Sequence, residues 1–179
     1  MGHSHMPSLR GAGIGAGIAL LGMVGRKLAV QAPTALAGDW DKALAAEHKA
    51  ALALFDRLRD SEASGRRSLL LIQLKHALGK HALEEENAIY PAMREAGMKA
   101  EADALNSDHG YVKQYLYELT DLVKDAVAFR AKLSAFRTDI EQHMAQEENE
   151  LFPKLKAALN PHATARLTRR MNQEGLKLA

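Results

Sequence analysis

From residue 39 onward the apolar positions of this chain return every three or four residues, the period of a helix that buries one face. Four such stripes can be followed. The first reads Leu44, His48, Ala51, Phe55 and Leu58; it starts after Asp39, a residue type that caps helix N-termini, and runs to about Asp60. The second starts near Gly65, runs to about Glu95, and reads Leu74, Leu78, His81, Glu85 and Ala88. The third begins at about Ala100 and carries Leu105, His109, Val112, Leu116 and Val123. The fourth begins near Phe129 and carries Leu133, Phe136, Ile140, His143, Glu147 and Leu151. Short connections containing Gly or Ala favour antiparallel neighbours. The stripes therefore predict an all-α fold, an antiparallel up-down-up-down four-helix bundle over residues 38–160. Asn160-Pro161 ends it, and residues 161–179 form a C-terminal tail with a short basic helix from about residue 162.

Six of the positions on these apolar faces are polar: His48, His81, Glu85, His109, His143 and Glu147. They fall in a repeat. His81–Pro91 (HALEEENAIYP) and His143–Pro153 (HMAQEENELFP) both fit H-x-x-x-E-E-N-x-x-[Y/F]-P. Residues four apart on a helix lie on one face, so each segment sets an imidazole beside a carboxylate. An acidic residue followed by His stands upstream of each segment: Glu47-His48, 33 residues before His81, and Asp108-His109, 34 residues before His143. Such a repeat implies two helix pairs related by a pseudo-dyad.

A single His or Glu on an apolar stripe is ordinarily a core group satisfied by a neighbour. Six at matching depth in four helices are different. Two uncompensated buried carboxylates would cost several kcal/mol each, and metal ions remove that penalty. Imidazole with carboxylate and no sulfur suits iron, manganese or zinc in open sites. The Glu-x-x-His signature of ferritin-like di-iron proteins is absent from the chain. His76 lies five residues before His81, about 140° around the helix, and is expected on the surface or flank. His162 is expected to face solvent, as are Glu84, Glu86, Glu148 and Glu150. Asn87 and Asn149 recur in both repeats and are candidates for bonds to the backbone or to groups around the ligands. Tyr111, Tyr115 and Tyr117 are expected to pack in the core or at the surface rather than reach the centre. Pro91 and Pro153 each mark a kink or an ending just beyond the site.

These residues resemble the hemerythrin-like, or HHE cation-binding, family over residues 39 to about 158. The resemblance rests on His48, His81-x-x-x-Glu85, His109, His143-x-x-x-Glu147 and the E-E-N context. It implies a non-haem di-iron centre, oxo- or hydroxo-bridged, with Glu85 and Glu147 as bridging carboxylates and one iron for the two histidines of each helix pair. Manganese or zinc are the substitutes the ligand set would accept. Oxygen-carrying members add a fifth histidine, in an H-x-x-x-H pair on the third helix; here the residues four either side of His109 are Leu105 and Lys113. They also use an Asp five residues after the last His, where this chain has Glu147 at four. The set is more similar to the bacterial four-His, two-Glu type, associated with stress response and iron-centre repair. The implied function is binding, sensing or reaction with O2, NO or peroxide. The alternatives are iron storage or delivery, and an interaction module with structural metal.

Composition narrows the rest. Lys+Arg number 24 against 22 Asp+Glu, and no basic stripe with aromatics appears, so no nucleic-acid partner is expected. The chain has no Cys, which excludes disulfides, thiolate catalysis and iron–sulfur clusters. Residues 1–8 read as a disordered tag remnant; the MGHSH start gives His3 and His5 no functional meaning. Residues 9–37 form a glycine-rich apolar segment and a linker, the latter over 31–37 around Pro33. GxxxG spacing at Gly11/Gly15 and Gly13/Gly17 suits close helix contact, so residues 9–30 are expected to dock on the bundle, on another chain by self-association, or on a membrane surface. The apolar run from Gly11 to Gly25 is shorter than the ~20 residues that span a bilayer. Arg26 and Lys27 sit where a cleaved signal peptide would not have charge, so a cytoplasmic protein is expected, with membrane association as the alternative placement.

Overall fold

The computed structural model describes residues 25–179, and every regular element in that range is helical. The tag remnant at 1–8 and the GxxxG positions lie outside the described residues. Helix α1 covers residues 25–36, α2 Trp40–Arg59 and α3 Ser64–Glu84. A π-helical segment, Glu85–Ile89, joins α3 to α4, Tyr90–Glu95. Helix α5 is Lys99–Asp121 and α6 Ala126–Gln146; a second π segment, Glu147–Leu151, leads into α7, Phe152–Ala158, and α8 is Pro161–Leu178.

The ends of these helices have identifiable causes. Asp125 caps α6, its carboxylate accepting from the backbone N–H of Val127 (3.1 Å) and Ala128 (3.0 Å). Asn160 caps α8 in the same way through Ala163 (2.9 Å). Asp39 stands at the N-cap of α2 but makes no side-chain cap. Thr168 of α8 takes that role, its hydroxyl accepting from the Trp40 N–H at 3.0 Å. Gly97 ends α4 with φ +82°, left-handed backbone that glycine adopts without strain.

The buried apolar residues form two clusters. One holds Trp40, Leu44, Ile89, Met93, Leu105, Phe152 and Leu155; the other holds Phe55, Leu74, Leu78, Leu116, Phe136, Ile140 and Met144. Each of α2, α3, α5 and α6, with the π segments, supplies both clusters. Its His or Glu falls between them: Leu44, then His48, then Ala51; or Leu78, then His81 and Glu85, then Ala88. A fully buried Leu or Phe stabilises by about 1.5–3 kcal/mol. The two clusters thus clamp a polar layer across the middle of the bundle.

Three expectations change. The stretch 31–37 is not a linker: the helix continues through Pro33 to residue 36, because Gln31 and Thr34 are buried against the bundle and that burial outweighs the proline. The terminal helix expected from about residue 162 is longer than a short one, running Pro161–Leu178. Helix α8 packs on α3 and the first π segment, burying Leu167, Met171 and Gly175. Glu84 does not face solvent. It is fully buried, because α1 and α8 cover the side of α3 that would otherwise be outward.

Candidate metal centre

Five of the six expected residues are buried: His48, His81, Glu85, His109 and Glu147; His143 is 9% exposed. Their inner atoms converge. His48 Nε2 lies 3.0 Å from His81 Nε2. Glu85 presents Oε1 to His81 Nε2 at 3.3 Å and Oε2 to His109 Nε2 at 3.3 Å. Glu147 presents Oε2 to His48 Nε2 at 3.4 Å and Oε1 to His143 Nε2 at 3.4 Å. Each carboxylate therefore spans from one histidine pair to the other. Two overlapping groups could each hold a cation: His48, His81, Glu85 and Glu147, and Glu85, His109 and His143. Glu85 Oε1 and Glu147 Oε2 are buried acceptors with no hydrogen-bond donor. An orphaned carboxylate oxygen is costly in a low-dielectric interior, and a cation is the group that satisfies it beside imidazole lone pairs. The donor set fits a pair of metal ions.

The outward nitrogen of every ring faces a carboxylate. Nδ1 of His48 meets Glu148 at 2.7 Å, His81 meets Glu47 at 3.1 Å, His109 meets Glu86 at 2.9 Å and His143 meets Asp108 at 3.2 Å. An ionised carboxylate only accepts, so each Nδ1–H donates; in the neutral ring this leaves the Nε2 lone pair pointing inward, the tautomer that binds metal. Glu86 and Glu148 are thus not simply solvated, although they remain 29% and 40% exposed. The signal was present. The second Glu of each E-E pair and the acidic residue before His48 and His109 recur at matching offsets.

Tyr90 also reaches the centre, and the helical stripe does not reveal it. Its hydroxyl lies 3.2 Å from Glu85, 3.2 Å from Glu147 and 3.1 Å from His109 Nε2. The equivalent position in the second repeat is Phe152, whose ring stacks on His48 at 6.3 Å. The [Y/F]-P position was its signal. In a regular helix, five residues after Glu85 would rotate about 140° off its face. In the π segment the Tyr90 N–H bonds to the Glu85 carbonyl, i to i+5, which returns Tyr90 beneath Glu85. Tyr111 and Tyr117 are exposed, and Tyr115 stacks on Phe136 with its hydroxyl on Asp139. His76 and His162 lie at the surface, His76 against the Leu178 carbonyl at 2.9 Å. The Asn87 amide donates to the Leu83 carbonyl at 3.1 Å.

Without metal the charges settle unevenly. Burial opposes ionisation of Glu85, yet His81 and His109 hold its pKa well below the ordinary range. Burial and the Glu85 charge raise that of Glu147. Burial works against a charged His81, but Glu85 and Glu47 keep its pKa well above the usual value. Burial, then the two carboxylates, push the Tyr90 phenol up, so it stays protonated and donates.

A third acidic group, Glu47, His81 and Glu84, already holds a cation of its own. The Lys80 ammonium contacts Glu47, and lies 3.0 Å from Glu84 Oε1, 3.0 Å from Gln31 and 3.3 Å from Thr34. Gln31 donates to Glu84 at 2.8 Å and to Asn172 at 3.0 Å. Helices α1 and α8 are thereby tied to Glu47, and Glu47 to His81. Among the described residues no equivalent supports Asp108, which is 48% exposed.

No helix among the described residues is long and apolar enough to cross a membrane. No curated protein and no solved structure matches the chain. Residues 41–155, which contain all six converging side chains, match the family model described as the hemerythrin HHE cation binding domain, and the chain belongs to that family of metal-binding proteins.

Proposed function

We propose that the chain is a non-haem di-iron protein of the four-His, two-Glu type that binds, senses or reacts with a small molecule: O2, NO or peroxide. In this reading α2, α3, α5 and α6 form an up-down-up-down bundle. His48 and His81 would hold one iron and His109 and His143 the other, with Glu85 and Glu147 shared between them. The observation that carries it is that each buried carboxylate sends one oxygen to each histidine pair. Bound iron would supply redox change and open coordination positions for a small ligand.

The protein's own residues do the rest. The four outer carboxylates fix the imidazole tautomers and ring orientations. The two apolar clusters cover the layer at both ends. Tyr90 holds a proton between Glu85 and Glu147 on one side only, so the two metal positions are inequivalent.

Metal analysis of purified protein should give two irons per chain. His81→Ala and His143→Ala should lower that content, and His76→Ala should not. Anaerobic diferrous protein mixed with O2 or NO in a stopped-flow instrument should lose its reduced spectrum without a long-lived reversible oxygen adduct. Absence of reaction with O2, NO and peroxide would move the assignment to storage or structural metal.

A further inference from the structure

Between α1, α2 and α3 lies a cavity of about 230 Å³. Its mouth is made by Val30 and Pro33 of α1 and by Ala46 and Ala50 of α2; its inner end is Leu78, Met144 and the rings of His48 and His81. Behind that end is a second cavity of about 20 Å³, which shares Leu78, His81 and Met144 with the first and also borders His109 and His143. The two spaces thus meet at Leu78, His81 and Met144, and the inner one touches three of the four candidate histidine ligands. We infer that this cleft is the entry and holding site for one small apolar molecule of diatomic size on its way to the metal centre. The inference rests on the small-molecule reading above and adds the route and the class of ligand.

Size and polarity carry it. A space of about 20 Å³ holds roughly one water-sized body, so a diatomic is near the upper limit of what fits beside the histidines. Residues 46, 50, 51 and 77 on the cleft are all alanine, so the helices approach without filling the gap. Thr34, Glu47, His76 and Lys80 also border the cleft, but its exposed lining is mainly apolar, and beside Leu78 and Met144 a charged or strongly hydrated species would lose its solvation; O2 and NO have little to lose. The opposite approach differs. Between α5 and α6 a cleft of about 250 Å³ reaches His143 past Asp108, Asp139, Gln142 and Gln146, and suits water and peroxide.

The cleft exists because α1 stands across the α2–α3 groove. Gln31 on Glu84 and Lys80, and Thr34 on Lys80, pin that helix by polar contacts along one border of the cleft, leaving its alanine side unfilled. Val30 and Pro33 lie outside residues 41–155, so the wall is an addition of this chain to the family domain.

Ala50→Phe and, separately, Ala77→Leu in the metal-loaded full chain test the inference. Xenon pressurisation, read by 129Xe NMR and by diffraction from xenon-treated crystals, should place xenon in the cleft of the parent and not of the variants. The stopped-flow rate with NO, and in a second arm O2, should fall about tenfold, equivalent to about 1.4 kcal/mol of added barrier. Iron content and the rate with hydrogen peroxide should hold. Unchanged gas rates in variants that exclude xenon would overturn the route. So would failure of the parent to bind xenon there, or an equal fall in the peroxide rate. If the parent reacts with neither gas nor peroxide, the functional reading fails, while the xenon arm still decides whether the cleft admits an apolar guest; reaction with peroxide alone would overturn the route.

Discussion

Replacing Gly175 by alanine puts a methyl group where the structure has no room. A Cβ built there would lie 1.8 Å from Glu84 Oε1 and 2.5 and 2.7 Å from the Gln31 amide atoms. A flexible side chain can usually swing away, but this carboxylate is fully buried and held by Gln31 at 2.8 Å and Lys80 at 3.0 Å. Either α8 lifts from α3 or those bonds break. Alanine gains about 1 kcal/mol over glycine inside a helix. Overpacking costs about 1–3 kcal/mol, and losing a hydrogen bond to a buried charge about 1.5–3 kcal/mol. The effects overlap, so the net loss should be about 2–4 kcal/mol, a fall in Tm of roughly 5–15 °C for a chain of this size. Gly79→Ala is the control: its Cβ meets nothing within 4 Å, so it should be neutral or raise Tm by a few degrees, about 0.5–1 kcal/mol. Both are read by calorimetry on the metal-loaded protein. If Gly175→Ala melts at or above the parent, then α8 does not seat on α3 as described, and the link from the terminal helices to Glu47 fails with it.

Three further outcomes are expected. Chelation to the metal-free form should lower Tm by roughly 10 °C, since a ligand at a thousandfold above Kd contributes about 4 kcal/mol; coincident melting curves would contradict a buried site. Burial raises the Glu47 pKa, but its hydrogen bond to His81 and the charges of His81 and Lys80 overcome that and hold it at about 2, against 4.5 unperturbed. A depressed folded pKa stabilises above the unfolded value, so metal-free protein should lose up to about 3 kcal/mol as pH falls from about 4.5 to 2; Glu47→Gln should flatten that limb in urea titrations, and an unaltered limb would refute it. Tyr90→Phe removes the hydroxyl shared by Glu85 and Glu147 and should reduce the difference between the two Mössbauer doublets of the iron-loaded protein; doublets identical to the parent's would remove Tyr90 from the centre.

The sequence was most readable where function and helical phase coincide. His48, His81, Glu85, His109, His143 and Glu147 occupy positions an apolar residue would otherwise fill, so one periodicity shows both the helices and the layer between the two cores. It was least readable where another element decides the environment. Nothing local distinguishes buried Glu84 from exposed Glu150; the difference is that α1 and α8 cover one and solvent the other. Residues 31–37 read as a linker because Pro33 weighs against a helix, while the pinning of Gln31 and Thr34 depends on Lys80, far along the chain. Tyr90 was hidden for a different reason: a period of 3.6 assigns it to the wrong face once the backbone changes to i, i+5 bonding.

That change of bonding makes each repeat one residue longer than its packing needs. With four residues between Glu85 and Tyr90, an ordinary helix would have to lose one to set both on the same face; the same holds for Glu147 and Phe152. The shorter version would keep the apolar stripe in phase and restore regular hydrogen bonding, the more stable backbone. The surplus residue is therefore a standing handicap, carried twice, and both times it begins at the residue bearing the carboxylate. Deleting Asn87 and Asn149 together should yield a bundle that folds more firmly when metal-free and holds iron less well. By that measure the chain is tuned for where two carboxylates stand, and helix regularity gives way to it.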